Sequence, residues 1–433
     1  MFKIIGMTKL IWKLFKIVLT LLLAFLMYVV IGGVVPFLHH PDVSQTKKEA
    51  VESTQFYSDS VGPDRATIIE DNEEALKMRL RVIKDAQKTL ILSTFDFRSD
   101  DAGKDILAAL LNAADRGVKV EIFADGFNSI IQMENNDYFY ALSSNKNIKI
   151  IIYNQVNILI PWNGLGRMHD KYVIADDSLY ILGGRNTFGY FLGDYAGHKN
   201  YDRDVLVYNT GSKASSIYQI KDYYKKITSQ KCCSVFHCNE SLGEKNSVKK
   251  AEQELKNRYE SLENKYDKFL AGNYDYKANT YETNKINLLS NPTSLYTKQP
   301  TVYYGLMYLA KNAKKEVKIH TPYIICNDYM YKELKNIKVP TTIMTNSAEN
   351  NGNIFGAVDY LNHKKNIPFE IQAFTNVESL IAYGKMNHIE LLLISQKAMC
   401  RQVQELEIGK IVILSEGVHP PDLDRYPSVY KYQ

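Results

Sequence analysis

From Arg65 onward the hydrophobic positions fall into two alternating rhythms. Glu70 to Ala86 and Gly103 to Asp115 place apolar residues at helical spacing, in the second stretch Ile106, Leu107, Leu110, Leu111 and Ala114. Thr89 to Thr94 and Val118 to Phe123 are short β-rich runs, the second set off from its helix by Gly117. Strand, helix, strand in succession predicts a parallel pair with a crossover, so the fold class is α/β. The order then recurs. Ile83 to Thr94 runs parallel to Ala310 to Thr321, and Ile122 to Asp125 to Ile343 to Asn346, at offsets of 227 and 221 residues. Two elements in order at nearly one offset indicate a duplicated half.

Three stretches break the rhythm. Ile17 to Leu38 is an uncharged run of 22 residues, beyond the roughly 20 that cross a bilayer core as a helix. Lys3, Lys9, Lys13 and Lys16 precede it, and only His39, His40 and Asp42 follow closely. That bias orients the N-terminus to the cytoplasm and the main body to the extracytoplasmic side. A cleaved signal peptide would carry an apolar core of only about 7–15 residues, and no small-x-small site follows Leu38, so an uncleaved anchor in the cell membrane is expected. Residues 39–64 are polar and turn-rich, as in a stalk. Lys249 to Leu270 is highly charged at helical spacing and reads as an exposed connecting helix. The expected organisation is a cytoplasmic basic tail (1–16), a transmembrane anchor (17–38), a stalk (39–64), a first half (65–235), a charged helical connector (236–285) and a second half (286–433).

Composition narrows the chemistry. The 433 residues carry a formal charge of +5, and the four N-terminal lysines account for all but one of it. A near-neutral body lacks the electrostatic footprint of a nucleic-acid binder, so nucleic acid is not an expected partner. Five cysteines are an odd count, which argues against a complete disulfide framework. Cys232, Cys233, His237 and Cys238 cluster without a second spaced ligand pair, so neither a metal nor another cofactor is expected.

The chemistry concentrates in Met168 to Asp176, followed by Leu182-Gly183-Gly184-Arg185-Asn186. Tyr172 to Ala175 reads as a strand and Asp176-Asp177-Ser178 as a turn. Residues two apart share a strand face, so His169 and Lys171 point the same way. A hairpin return brings Gly183, Gly184 and Asn186 alongside, with the glycines expected to let a ligand approach the backbone. Imidazole as nucleophile or proton carrier, with an ammonium and an amide on phosphoryl oxygens, suits a phosphodiester.

These residues resemble the phospholipase D superfamily, whose signature is His-x-Lys-x4-Asp followed by Gly-Gly or Gly-Ser-x-Asn. His169, Lys171, Asp176, Gly183, Gly184 and Asn186 match it in full. The resemblance implies two α/β halves, each a mixed, mostly parallel sheet flanked by helices, with one such motif apiece. It implies that His169 attacks phosphorus to form a phosphohistidine while a second histidine protonates the leaving alcohol. Lys171, Asn186, Gly183 and Gly184 would hold the substrate, Asp176 would complete the motif by bracing the hairpin rather than by touching substrate, and Asp204 would orient the imidazole, with Asp202 the runner-up.

The second motif departs from this pattern. His388 sits two residues short of the position carried over by the offset, but the Lys and Asp places hold Glu390 and Ser395. A second register through Tyr383-Gly384-Lys385 keeps the lysine and loses the histidine. The resemblance therefore leaves two ways to complete the site: His388 as general acid, or a homodimer joining two first-half sites. Ile158 to Leu165, an apolar loop with Trp162, could meet lipid headgroups or close a buried strand end. The expected activity is that of a membrane-anchored phosphodiesterase or phosphatidyltransferase acting on phospholipid, in the manner of cardiolipin synthase. A superfamily nuclease and a non-catalytic phosphate- or lipid-binding scaffold are the alternatives.

Overall fold

The computed structural model describes residues 2–374 apart from 201, 238–239, 292–293, 322–323, 347–357, 359–360, 362–366 and 368–369. Helix α1 (Phe2–Val34) runs through the basic stretch and the apolar run without a break, and a 3-10 turn (Val35–Phe37) extends it. Leu10–Phe37 is long and apolar enough to cross a membrane, and none of its most apolar window is buried in the protein.

Helix α2 (Gln45–Glu52) follows where a stalk was expected. Val43 and Val51 are buried against Tyr304 and Tyr329, and the Tyr304 hydroxyl donates to Glu52. Two apolar residues in a polar stretch are enough to dock it onto the later part of the chain, so it does not stand free.

The first unit is built on a nine-stranded sheet of β1 (Asp64–Ile69), β2 (Thr89–Thr94), β3 (Lys119–Asp125), β4 (Ile148–Tyr153), β5 (Tyr172–Ala175), β6 (Leu179–Gly183), β7 (Asp204–Asn209), β8 (Cys233–Val235) and β9 (Tyr281–Glu282). Their order is β8-β4-β3-β2-β5-β6-β7-β1-β9. The sheet is mixed and helix-flanked as expected. Its parallel part is β2-β3-β4, where helices make the crossovers. The β5-β6 hairpin pairs antiparallel because its tight turn can only reverse the chain, and its pairings with β2 and β7 are antiparallel as well.

Alternation along β2 sends Leu90 and Leu92 into one core and Ile91 into the other, so the sheet is covered on both faces. Helices α3 (Asn72–Asp85) and α4 (Asp101–Asp115) fill the first face, each started by an aspartate cap, Asp71 on Glu74 N–H and Asp100 on Gly103 N–H, both 2.9 Å. Helix Ile217–Thr228 covers the second with Ile217, Ile220 and Tyr224.

Helix Asn246–Lys265 is not the exposed connector that its charges imply. Val248, Ala251, Leu255, Tyr259 and Leu262 form a buried stripe at three- and four-residue steps, and all but Ala251 belong to the first core. Arg258 reaches Asp105 at 2.6 Å and Lys84 pairs with Glu263 at 2.5 Å. The first unit thus runs on to β9, which pairs with β1.

A second sheet, β10 (Val317–His320), β11 (Thr341–Asn346) and β12 (Glu370–Phe374), is parallel throughout. Its first two strands fall where the sequence repeat puts the counterparts of β2 and β3.

Candidate functional site

The site lies at the carboxyl ends of the parallel strands, the usual edge for ligands in such sheets. Asp125 closes β3 and is wholly buried. Its carboxylate accepts from Met168 N–H at 3.0 Å, Phe127 N–H at 2.8 Å and Arg167 Nη1 at 3.2 Å. That bond to Met168 fixes the backbone one residue before His169. The His169 ring then packs on Phe95, just beyond β2, with centroids 4.5 Å apart.

Lys171 is 4% exposed, and its Nζ lies 2.9 Å from His169 Nδ1 and donates to the His169 carbonyl at 2.8 Å. The expected shared face is therefore real. Asn186 Oδ1 accepts from Asp96 N–H at 3.2 Å, so consecutive residues, Phe95 and Asp96, carry the imidazole and the amide. Gly183 N–H donates to the Lys171 carbonyl at 3.2 Å, which brings the returning arm beside the lysine.

His169 is exposed as a residue, yet the protein atoms around it partly desolvate its ring. That crowding, with the Lys171 and Lys298 ammoniums, pulls its pKa down to about 3. The neighbouring Asp170 is pushed up by burial and receives the Tyr223 hydroxyl at 2.7 Å. Lys298, lowered by burial, is a cation of this site that sequence reasoning missed. It lies far along the chain, outside any motif, and only tertiary structure brings it here.

Two expectations need correction. Asp204 is fully buried between Arg79 Nη1 at 2.8 Å and Arg185 Nη1 at 3.2 Å. These guanidiniums hold its carboxyl low and make it a structural anion; no bond joins it to His169. Arg185 also grips the carbonyls of Ile69 and Glu70, tying the motif to the start of α3. Asp202, the runner-up, feels both Lys171 and Arg185, and burial pushes its pKa up to about 6.

The glycines serve those carboxylates rather than a ligand. A Cβ on Gly183 would fall 1.9 Å from Asp204 Oδ1, and one on Gly184 2.1 Å from Asp202 Oδ2. Asp176, finally, stands at the opposite end of β5 from His169. With φ at +52° it accepts the N–H groups of Gln87, Lys88 and Thr89, each at 2.8 Å, so it braces the hairpin and cannot reach a substrate at His169. His388 lies outside the described residues, as does the alternative register through Lys385.

Residues 80–227 match the family model described as cardiolipin synthase, phospholipase D-like domain. Over those residues, about a third of the chain, it is similar to the phospholipase D superfamily. Cardiolipin synthase B of Salmonella typhi is 32% identical over 142 residues, 32% of this chain and 34% of that protein. An uncharacterized protein of Helicobacter pylori (strain ATCC 700392 / 26695) is 28% identical over 310 residues, 65% of this chain and 59% of that protein. The chain thus spans between about a third and three fifths of the length of these relatives. Among solved structures, phosphatidylserine synthase of Haemophilus influenzae Rd KW20 aligns at a TM-score of 0.44 with 14% identity, over 74% of this chain and 72% of its own. NucT from Helicobacter pylori aligns at 0.32 with 21% identity, over 40% and 99%.

Proposed function

We propose that this chain is a membrane-anchored phospholipase D-like enzyme that cleaves or exchanges a phospholipid phosphodiester through a phosphohistidine on His169. The observation that carries the reading is the Lys171 ammonium 2.9 Å from His169 Nδ1, beside an Asn186 held by the adjoining strand end. The catalytic unit on this reading runs from β1 to β9, longer than the motif-bearing half expected at 65–235. The residues beyond it form its degenerate partner, and α1 is the anchor, with the body extracytoplasmic.

In the resting geometry Lys171 donates to Nδ1, which leaves the ring proton on Nε2. A phosphodiester competes for that ammonium. Once Lys171 turns to a non-bridging oxygen, the proton can pass to Nδ1 and the Nε2 lone pair can face phosphorus. The N–P bond forms as the P–O bond to the leaving alcohol breaks. Lys171 and the Asn186 amide nitrogen stabilise the charge that develops on the phosphoryl oxygens. The leaving oxygen takes its proton from a general acid, either His388 or the His169 of a second copy. Water or a second alcohol then attacks phosphorus and frees His169, giving hydrolysis or phosphatidyl transfer. The raised pKa of Asp202 and its closeness to Lys171 make it, rather than Asp204, the carboxylate that acts on the site.

The test is to incubate the full chain in phospholipid vesicles with lipid radiolabelled in its phosphate, quench, and measure protein-bound label. Label on wild type and none on His169→Ala is expected. Equal label on both, or none on wild type with any phospholipid, overturns the reading; the second result favours the scaffold.

A further inference from the structure

We infer that two apolar loops beside His169 form a docking rim that sets the mouth of the site into the surface of a phospholipid bilayer, an inference resting on the reading of α1 as a membrane span. The first loop leaves the end of β3 and exposes Phe127 and Ile131, the latter 57% accessible. The second leaves the end of β4 and exposes Ile158, Leu159, Trp162 and Leu165, with Leu159 65% accessible. Neither carries a charge, from Gly126 to Met133 or from Gln155 to Gly166. Both lie at the strand edge that holds His169.

The loops are braced. Asn154 Nδ2 donates to the carbonyls of Asn163 and Gly166, both at 2.8 Å, and Asp125 takes Phe127 N–H. The two touch through their backbones, since a Cβ on Gly126 would lie 2.3 Å from the Asn154 carbonyl oxygen. Apolar side chains on fixed loops have no core to collapse into and stay presented outward.

Helix α1 decides the occupant. The Tyr28 hydroxyl donates to the Leu159 carbonyl at 2.9 Å, and Gly32 lies against Pro161, where a Cβ would come within 2.6 Å of its ring. Gly32 is five residues before Phe37, the end of the apolar helix, about 8 Å at 1.5 Å per residue. The Tyr28 contact, nine residues before Phe37, lies deeper at about 14 Å, and the Pro161 contact lies at the depth where amphipathic elements enter the headgroup–acyl boundary, about 5–10 Å. Trp162 is the residue type enriched at that level. A protein partner on this rim would have to share the bilayer with the anchor.

The chain has two tryptophans, Trp12 in α1 and Trp162 in the rim, so Trp12→Phe and Trp162→Phe each leave one reporter. The full-length variants are reconstituted in vesicles of phosphatidylcholine and phosphatidylglycerol, with bromines near the headgroup end or the far end of the acyl chains. Trp162 emission should be quenched, more by the shallow bromines than by the deep ones, and shielded from aqueous acrylamide. Quenching of Trp12 by bromolipid without quenching of Trp162 leaves the anchor standing and overturns the rim. Protection of Trp162 from acrylamide without bromolipid quenching also overturns it, in favour of a second copy. Failure of both tryptophans to respond to bromolipid overturns the anchor itself.

Discussion

His169 and Asp202 lie near one lysine, and the same desolvation drives each toward its neutral form. For the histidine that means a pKa lowered to about 3, for the aspartate one raised to about 6. The kcat/KM profile reports the free enzyme, so its acid limb should fall near pH 6 and should move when Asp202→Asn is introduced, with no limb assignable to His169 at an ordinary histidine pKa. Stability follows the same groups. Between 3.8 and about 6 the folded state holds the Asp202 proton that the unfolded state has lost, so this residue's contribution falls as pH rises through that window. Asp202→Asn should therefore raise the Tm at pH 7, by about 1–3 kcal/mol in stability. Asp204→Ala should do the reverse, costing roughly 3–5 kcal/mol by stranding two buried guanidiniums, read as a lost or lowered thermal transition. Asp202 and Asp204 are two apart, on one face, in one short stretch. Strand parity cannot tell them apart; the guanidiniums of Arg79 and Arg185 do, and no local pattern announces those.

At the scale of the element, short apolar runs were the most legible part of the chain. Strand β2 begins and ends at the expected residues, and β3 differs by a residue or two. Helix Asn246–Lys265 was misread because solvated lysines and glutamates outnumber its buried stripe. Leu255, fully buried there, should cost about 2–5 kcal/mol when cut to alanine, a loss that an exposed connector would not show in thermal unfolding. The hairpin brace behaves differently from the site. Asp176→Ala removes the acceptor for three N–H groups and should lower stability by roughly 1–3 kcal/mol. Turnover per folded molecule should persist, whereas His169→Ala should abolish it with the melting curve preserved. The role of the paired glycines was hidden for a related reason: a glycine marks close approach but not what approaches.

At the scale of the molecule the sequence repeat foretold a second parallel sheet, and β10 and β11 occupy its registers. The polar composition of residues 39–64 concealed the docking of α2, because Val43 and Val51 are too few to set a period. Protease added to intact cells should digest the body and leave α1 protected; full protection of the body would reverse the expected orientation.

Only residues 38–44 separate the end of the apolar helix from α2, which is itself fastened to the body. Seven extended residues reach at most about 25 Å, so on the anchored reading the enzyme is leashed to the patch of leaflet around its own helix. Its encounters become two-dimensional. Diluting the substrate with inert lipid should slow turnover at constant bulk concentration, while adding more vesicles of the same composition should not quicken it.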